Sequence, residues 1–406
     1  MKQKSFLKIS VFLIASLFVV ACNQQEKAKP HSYTLVVSLD GFRWDYTDHA
    51  NTPTLDSIAL HGVKANSLIP SFPTKTFPNH FTLATGLYPD NHGIVLNGFY
   101  APDLDRYYFL RNRKSVEDPL FYSGEPIWVT AEKQGVKTAS FYWVGSEAAI
   151  QGIQPAYWKK YQHDFPFEQR IDTVIRWFSL PQSERPELVM LYFHEPDQTG
   201  HAKGPASDST RKVIEYMDNL LADLCSKLSR LPIADSLNLI VLSDHGMGAF
   251  DEIIFLDDYI DTSWFSEIQG WNPNYVFKAK TAYYDTAFVS LQKIKGARTW
   301  KHGELPARLH YGSNPRTLDF ITVADRYKGL MFSWDHREGG GKGTHGYDNQ
   351  FKDMHAIFYA SGPSFKEYYV SPAFQNIHIY SMLAEILEIK PANTNGSIDS
   401  IRHILK

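Results

Sequence analysis

Four short apolar runs rich in β-branched residues punctuate the chain: Tyr33 to Leu39 (YTLVVSL), Leu188 to Phe193 (LVMLYF), Leu239 to Ser243 (LIVLS) and Ala356 to Ala360 (AIFYA). None alternates polar with apolar positions, which is the pattern of strands covered on both faces. Between them the period changes. Thr210 to Leu228 sets Val213, Ile214, Met217, Leu220, Leu221 and Leu224 at spacings of three and four, and Ile171 to Phe178 and Ile379 to Leu387 behave alike. Buried strands alternating with amphipathic helices predict an α/β fold with a central, mostly parallel sheet flanked by helices. Ligands in such folds gather outside the carboxyl ends of the strands.

Two segments depart from this rhythm. From about 264 to 331 the chain is rich in aromatics and prolines, with strand-like pieces at Thr286 to Leu291 and Leu318 to Val323. This predicts a small β-rich inserted cap subdomain within a catalytic domain spanning 33–406. Pro70 to His80 (PSFPTKTFPNH) is dense in proline and hydroxyls, hence a conformationally fixed loop, with a helix predicted over Asn79 to Ala84.

Composition narrows the function classes. The chain has 406 residues, 43% hydrophobic and 21% charged, with 41 Lys+Arg against 44 Asp+Glu. That excludes a disordered chain, and no basic excess advertises binding to a nucleic acid by counterion release. The two cysteines, Cys22 and Cys225, cannot make a disulfide framework. Lys2, Lys4 and Lys8 precede an apolar run from Ile9 to Val20 that is short for a membrane span, the layout of a secretory signal. Its Val-Val-Ala-Cys ending resembles a bacterial lipobox. The expectation is a signal peptide over 1–21, lipidation at Cys22, a polar tether over 22–32, and a lipid-anchored protein of the bacterial cell envelope, periplasmic or surface-exposed. Cys225, inside a helical pattern, reads as a buried thiol.

Polar residues stand where the strands stop: Asp40, Asp197 with His201 (EPDQTGH), Asp244 with His245 (SDHGM), and His345 (GKGTHGYD). Three His and three Asp suit two divalent zinc ions taking nitrogen and carboxylate oxygen. Singly, each is as readily a turn or a helix cap. Asp197 and His201, four apart, fit one face of a helical turn, although Gly200 also permits a loop. Thr76 is either a helix cap or, against a metal, a nucleophile at neutral pH. Asn97, before Gly98, is either a turn residue or an amide donor to an oxyanion.

The series LDGFRWDY, PTKTFPNH, TGLYPDNHGI with Asn97, WVGSE, EPDQTGH, SDHGM and GTHGYD resembles the nucleotide pyrophosphatase/phosphodiesterase family of the alkaline phosphatase superfamily, in order from about Tyr33 to Asp348. The resemblance implies an alkaline-phosphatase-like fold and two zinc ions. Asp40, Thr76, Asp244 and His245 would hold one, and Asp197, His201 and His345 the other. It makes Thr76 the nucleophile of a covalent intermediate and gives Asn97 the non-bridging phosphate oxygens. Phe77 and Tyr161 match positions that sandwich a base, and Tyr192 another aromatic of that site; core packing is the plainer reading of all three. Ser140 to Glu147 (SFYWVGSE) lacks the Lys and Arg of related monoesterases, which favours a diester.

The implied activity is release of a nucleoside monophosphate from phosphodiester or pyrophosphate bonds of nucleotides. Lipid-acting relatives share the metal set, so a choline or phospholipid-headgroup phosphodiesterase is the alternative, and a phosphate monoesterase a further one. From a different class, a surface lipoprotein that binds without turnover would have no need of a nucleophile.

Overall fold

A computed structural model describes residues 32–337 and 339–406. The signal peptide, Cys22 and nearly all of the tether fall outside the described residues. Every residue of strand β1 (Tyr33–Leu39) is buried, as the unbroken apolar run requires. The other strands of the main sheet are β2 (Gly62–Ala65), β3 (Thr138–Phe141), β4 (Tyr157–Lys159), β5 (Leu188–Phe193), β6 (Leu237–Leu242), β7 (Phe358–Ser361) and β8 (Tyr369–Ser371). Their order is β8-β2-β7-β6-β1-β5-β3-β4. Only β7 runs against the rest.

Alternate residues of β1 enter two different cores. Val36 joins a cluster with Phe81, Trp128 and Leu383, while Leu35, Val37 and Leu39 join one with Leu55, Val174, Met217 and Leu221. The period of two along a strand puts those sets on opposite faces. One helical layer therefore contains Thr76–Thr85, Ile127–Lys133 and Ile379–Ile386, and the other contains Pro53–Leu60, Phe167–Phe178 and Asp208–Leu228. Each wholly buried Leu or Val contributes about 1.5–3 kcal/mol. The register pairs Leu39 with Phe193 and Ser38 with Leu242, so β1, β5 and β6 end level with one another. That levelness brings their following residues together.

The helix predicted over Asn79 to Ala84 starts earlier, at Thr76. Pro78 lies in its first turn, where a backbone N–H has no helical partner to lose, so it does not delay the start. Gly86 closes this helix in the left-handed conformation, its N–H donating to Thr82 O at 2.7 Å.

Between 264 and 331, Phe265–Trp271, Asn274–Ala279, Phe320–Ala324 and Ala297–Lys301 form a separate antiparallel sheet in that order, around a core including Phe277, Leu291 and Phe320. The strand expected over Thr286 to Leu291 is instead part of a helix, Tyr284–Leu291. The relevant set is Tyr284, Ala287, Phe288 and Leu291, packed inward at spacings of three and four, which a six-residue window starting at Thr286 truncates. No helix among the described residues is long and apolar enough to cross a membrane. Cys225 is part-buried against the main core, and burial with nearby Asp218 pushes its thiol up to about 11.

Asp218, buried on the helix Asp208–Leu228, accepts the N–H groups of Thr54 at 3.0 Å and Leu55 at 2.9 Å. The helix Pro53–Leu60 has no side-chain cap from its own Thr52, so this carboxylate caps it from across the layer. Asp218→Ala leaves one buried and one part-buried donor unpaired and should lower stability by about 2 kcal/mol. Urea unfolding at unchanged m-value measures it; a loss below about 0.5 kcal/mol would contradict this role.

Candidate active site

The carboxyl ends of β1, β5 and β6 deliver Asp40, the helix Asp197–Lys203, and Asp244 with His245 to one place. Gly41 makes the approach feasible: its φ is +68°, and a Cβ there would sit 2.8 Å from Asp197 Cβ. Asp197 N–H donates to Asp40 O at 2.9 Å, and Gly41 N–H donates to Asp244 Oδ1 at 3.1 Å. Backbone contacts thus lock three acidic residues into mutual proximity.

Each imidazole is held from behind. His201 Nδ1 meets Gly343 O at 2.8 Å, His245 Nδ1 meets Gly246 O at 2.9 Å, and His345 Nδ1 meets Thr74 O at 2.7 Å. Donation from Nδ1 turns every Nε2 toward the carboxylates, the arrangement of metal-ligating histidines. His245 Nε2 lies 3.0 Å from Asp244 Oδ2, 3.5 Å from Asp40 Oδ1 and 3.2 Å from Thr76 Oγ1. Asp197 Oδ1 lies 3.5 Å from His201 Nε2 and 3.6 Å from His345 Nε2. The sets Asp40, Asp244, His245 and Asp197, His245, His345 each place one ligand atom per residue within 4.8 Å of the others. His245 and His345 stack at 3.6 Å, joining the sets.

Asp40 Oδ1, Asp197 Oδ1 and Asp244 Oδ2 are buried without a hydrogen-bond partner. Among the described residues no Lys or Arg forms an ion pair with any of the three. Burial, then Asp244 and Asp197, raise Asp40 well above the usual carboxylate range. Burial raises Asp244 too, but His245 and His80 outweigh it and hold that carboxyl well below the usual range. His245 is lowered by burial and more than restored by Asp244, so it ends above its ordinary value. Burial, His245, Lys75 and His201 hold His345 well below, a neutral ring. Hard carboxylate oxygens and imidazole nitrogens converging without a counter-cation fit divalent metal.

Thr76 opens its helix as the first helical residue, with Lys75 at the cap position, so the cap reading of Thr76 does not apply. Its hydroxyl points at His245 instead. Asn97 is not in a hairpin turn. Its Oδ1 accepts Phe77 N–H at 2.8 Å, which leaves the amide Nδ2 as a donor. Both line a cleft of roughly 710 Å³, together with Phe77, Tyr161, Tyr192, Asp40, Asp197, His201 and His345. Tyr192 serves the carboxylate end as well as the wall, its hydroxyl donating to Asp40 Oδ2 at 2.6 Å.

The structure adds residues that the sequence reading left unassigned. His80, one turn after Thr76 on the same helix face, bonds Ser38 Oγ at 2.8 Å and lies 3.3 Å from Asp244 Oδ2. Its i+4 spacing from Thr76 was the available signal. Lys75 is buried beside Trp271 and donates to Asn272 O at 2.9 Å; burial, partly offset by Asp197, pushes it down to about 7. Arg170 is fully buried and donates to the carbonyls of His163, Phe165 and Tyr192, fixing the loop after Tyr161 against the end of β5. Backbone acceptors leave no trace in sequence. Glu147 of the WVGSE segment pairs with Arg113, and both line the cleft.

The family model for type I phosphodiesterase / nucleotide pyrophosphatase matches residues 34–348. Ectonucleotide pyrophosphatase/phosphodiesterase family member 3 of Mus musculus is 36% identical over 95% of this chain and 46% of its own length. The venom phosphodiesterase of Naja atra is 36% identical over 92% of this chain and 46% of its own. The chain spans about half the length of the curated relatives it matches. A solved structure of murine ectonucleotide pyrophosphatase/phosphodiesterase 5 superposes with a TM-score of 0.89 at 34% identity, covering 92% of this chain and 100% of that one. An inactive threonine-to-alanine variant of the same murine protein, solved in complex with AMP, gives 0.88. With the family model matching most of the chain, and the ordered motifs meeting in one cleft, the chain belongs to the type I phosphodiesterase/nucleotide pyrophosphatase family.

Proposed function

We propose that this protein hydrolyses phosphodiester or pyrophosphate bonds of nucleotides and releases a nucleoside monophosphate, with two zinc ions and a covalent intermediate on Thr76. The observation that carries this reading is the set of three partnerless buried carboxylate oxygens facing three imidazoles, with the Thr76 hydroxyl beside them. Asp40, Thr76, Asp244 and His245 would hold one zinc, and Asp197, His201 and His345 the other. Bound zinc supplies Lewis-acid stabilisation of phosphoryl oxygens and lowers the pKa of bound hydroxyl or water.

The chain's own residues do the rest. Thr76 stands at the positive end of its helix, which favours loss of its proton. Its Oγ1 forms a bond to phosphorus as the bond to the leaving oxygen breaks. Water then cleaves the phosphothreonine ester and returns the hydroxyl. Asn97, its Oδ1 engaged by Phe77, presents Nδ2 to a non-bridging oxygen. Phe77 and Tyr161, on the cleft wall, are suited to stack a base. The AMP complex of the murine relative supports a nucleotide occupant. The Val-Val-Ala-Cys ending supports lipid attachment at Cys22 in a bacterial envelope.

Thr76→Ala should lower hydrolysis of the nitrophenyl ester of thymidine monophosphate by at least ~10³-fold while the protein stays folded. A wild-type rate in that variant would exclude the mechanism, and greater activity on a glycerophosphocholine analogue would shift the substrate to lipid headgroups. Two successive displacements should retain configuration at a chiral phosphorothioate; inversion would point to direct attack by water. Asn97→Ala should reduce kcat by ~10²-fold or more with a smaller change in KM. Asp244→Asn and His345→Ala should each lose zinc and activity together, and elemental analysis showing both ions retained would refute those ligand roles.

A further inference from the structure

Asp40, Asp197 with His201, and Asp244 with His245 follow strands β1, β5 and β6, but no strand of the main sheet leads to His345. It follows Gly343–Thr344, a two-residue strand paired with Gly248–Ala249. On the upstream side this segment has support: Lys342 N–H donates to His201 O at 2.8 Å, and Thr344 Oγ1 donates to Asn272 O at 3.1 Å. Downstream, β7 begins only at Phe358. The place of His345 therefore depends on what grips the chain just after it.

Thr74, fully buried in the loop that ends at Thr76, supplies that grip. Its carbonyl accepts His345 Nδ1–H at 2.7 Å. Its hydroxyl accepts Gly346 N–H at 2.9 Å and donates to Tyr347 O at 3.1 Å, so its single proton and one lone pair are spent on the two residues that follow the histidine. One residue thus holds both the ring and the backbone beyond it. Thr74 is itself fixed, because Asn79 Nδ2 donates to Pro73 O and to Lys75 O, each at 3.0 Å, from the helix that Thr76 opens. The contacts run from that helix through Thr74 to His345 without passing through the sheet.

Thr74 is not among the residues that line the cleft, whereas His345 and Thr76 are. Its hydroxyl can therefore affect the reaction only through its neighbours. We infer that Thr74 is a positioning residue whose hydroxyl holds His345 in register with Thr76, so that the ion assigned to Asp197, His201 and His345 keeps a fixed place relative to the nucleophile. Groups that hold a ligating histidine from behind act on metal affinity as well as on rate, which separates this role from a purely structural one. The inference rests on the two-zinc phosphodiesterase reading above.

The test compares wild type with Thr74→Val, which keeps the volume and deletes both hydroxyl bonds, and with Thr74→Ser, which keeps the hydroxyl. In competition with a zinc chelator, Thr74→Val should bind one ion about 10–100-fold more weakly, the same ion that His345→Ala loses, and the other within about threefold of wild type. With zinc in excess, its kcat on the nitrophenyl ester of thymidine monophosphate should fall about tenfold while KM stays within about threefold. Thr74→Ser should recover both quantities to within about threefold of wild type. Should the valine variant not fold, as read by circular dichroism, Thr74→Ala carries the same comparison against Thr74→Ser. Wild-type affinity for both ions in the valine variant, equal weakening of both, or a serine variant as deficient as the valine one would overturn the positioning role and leave the phosphodiesterase reading intact. A wild type that binds no zinc and cleaves no diester would overturn that reading and the role with it.

Discussion

Three carboxylates held together at the floor of one cleft repel one another, and this architecture spends its most rigid features on holding them there. Level ends of β1, β5 and β6 set their positions, and Gly41 lets Asp197 approach within van der Waals contact of the β1 turn. At an effective dielectric near 20, two unit charges 4 Å apart repel by roughly 4 kcal/mol, more than most single contacts return. Asp40 responds by rising in pKa, and Asp244 lifts His245 above its ordinary value against the effect of burial. A divalent cation held by these ligands would relieve both responses and so link folding to metal binding at this site.

The same constraint explains what surrounds the ligands. Backbone carbonyls behind all three imidazoles fix ring orientation without adding charge. Tyr192 hydrogen-bonds one oxygen of Asp40 and leaves the other bare. The buried cations Lys75 and Arg170 are directed at carbonyl oxygens and do not neutralise the carboxylates. A lysine or arginine paired with Asp40 or Asp244 would compete with a metal for the same oxygens.

Much of this was legible because it is local. Unbroken apolar runs marked the buried strands, and the polar residues after Leu39, Phe193 and Leu242 marked the strand ends where a ligand gathers. Thr76 was legible through its motif, but its helix began one turn earlier than the spacing suggested, since proline in a first turn reads as a loop. The helix Tyr284–Leu291 was misread because its window held too few residues to separate a period of 3.6 from one of two. The role of Arg170 could not be read. Its partners are the backbone carbonyls of His163, Phe165 and Tyr192, which no side-chain pattern encodes.

Charge placement also bears on which phosphate ester the cleft suits. A monoester dianion carries one more anionic oxygen than a diester and demands a further cation near the reacting phosphorus. The cleft wall includes Trp143, Val144 and Gly145, which supply no charge; Arg113 beyond them is paired with Glu147, and Arg111 stands at the exposed rim. Lys75, the nearest buried ammonium in sequence to Thr76, is engaged by Asn272 O and lowered to about 7. A diester asks less of such a wall, because its second ester oxygen carries a substituent instead of a charge. On the proposed reading, the cost of desolvating an extra unpaired anionic oxygen at this wall would weigh against monoesters without any steric exclusion.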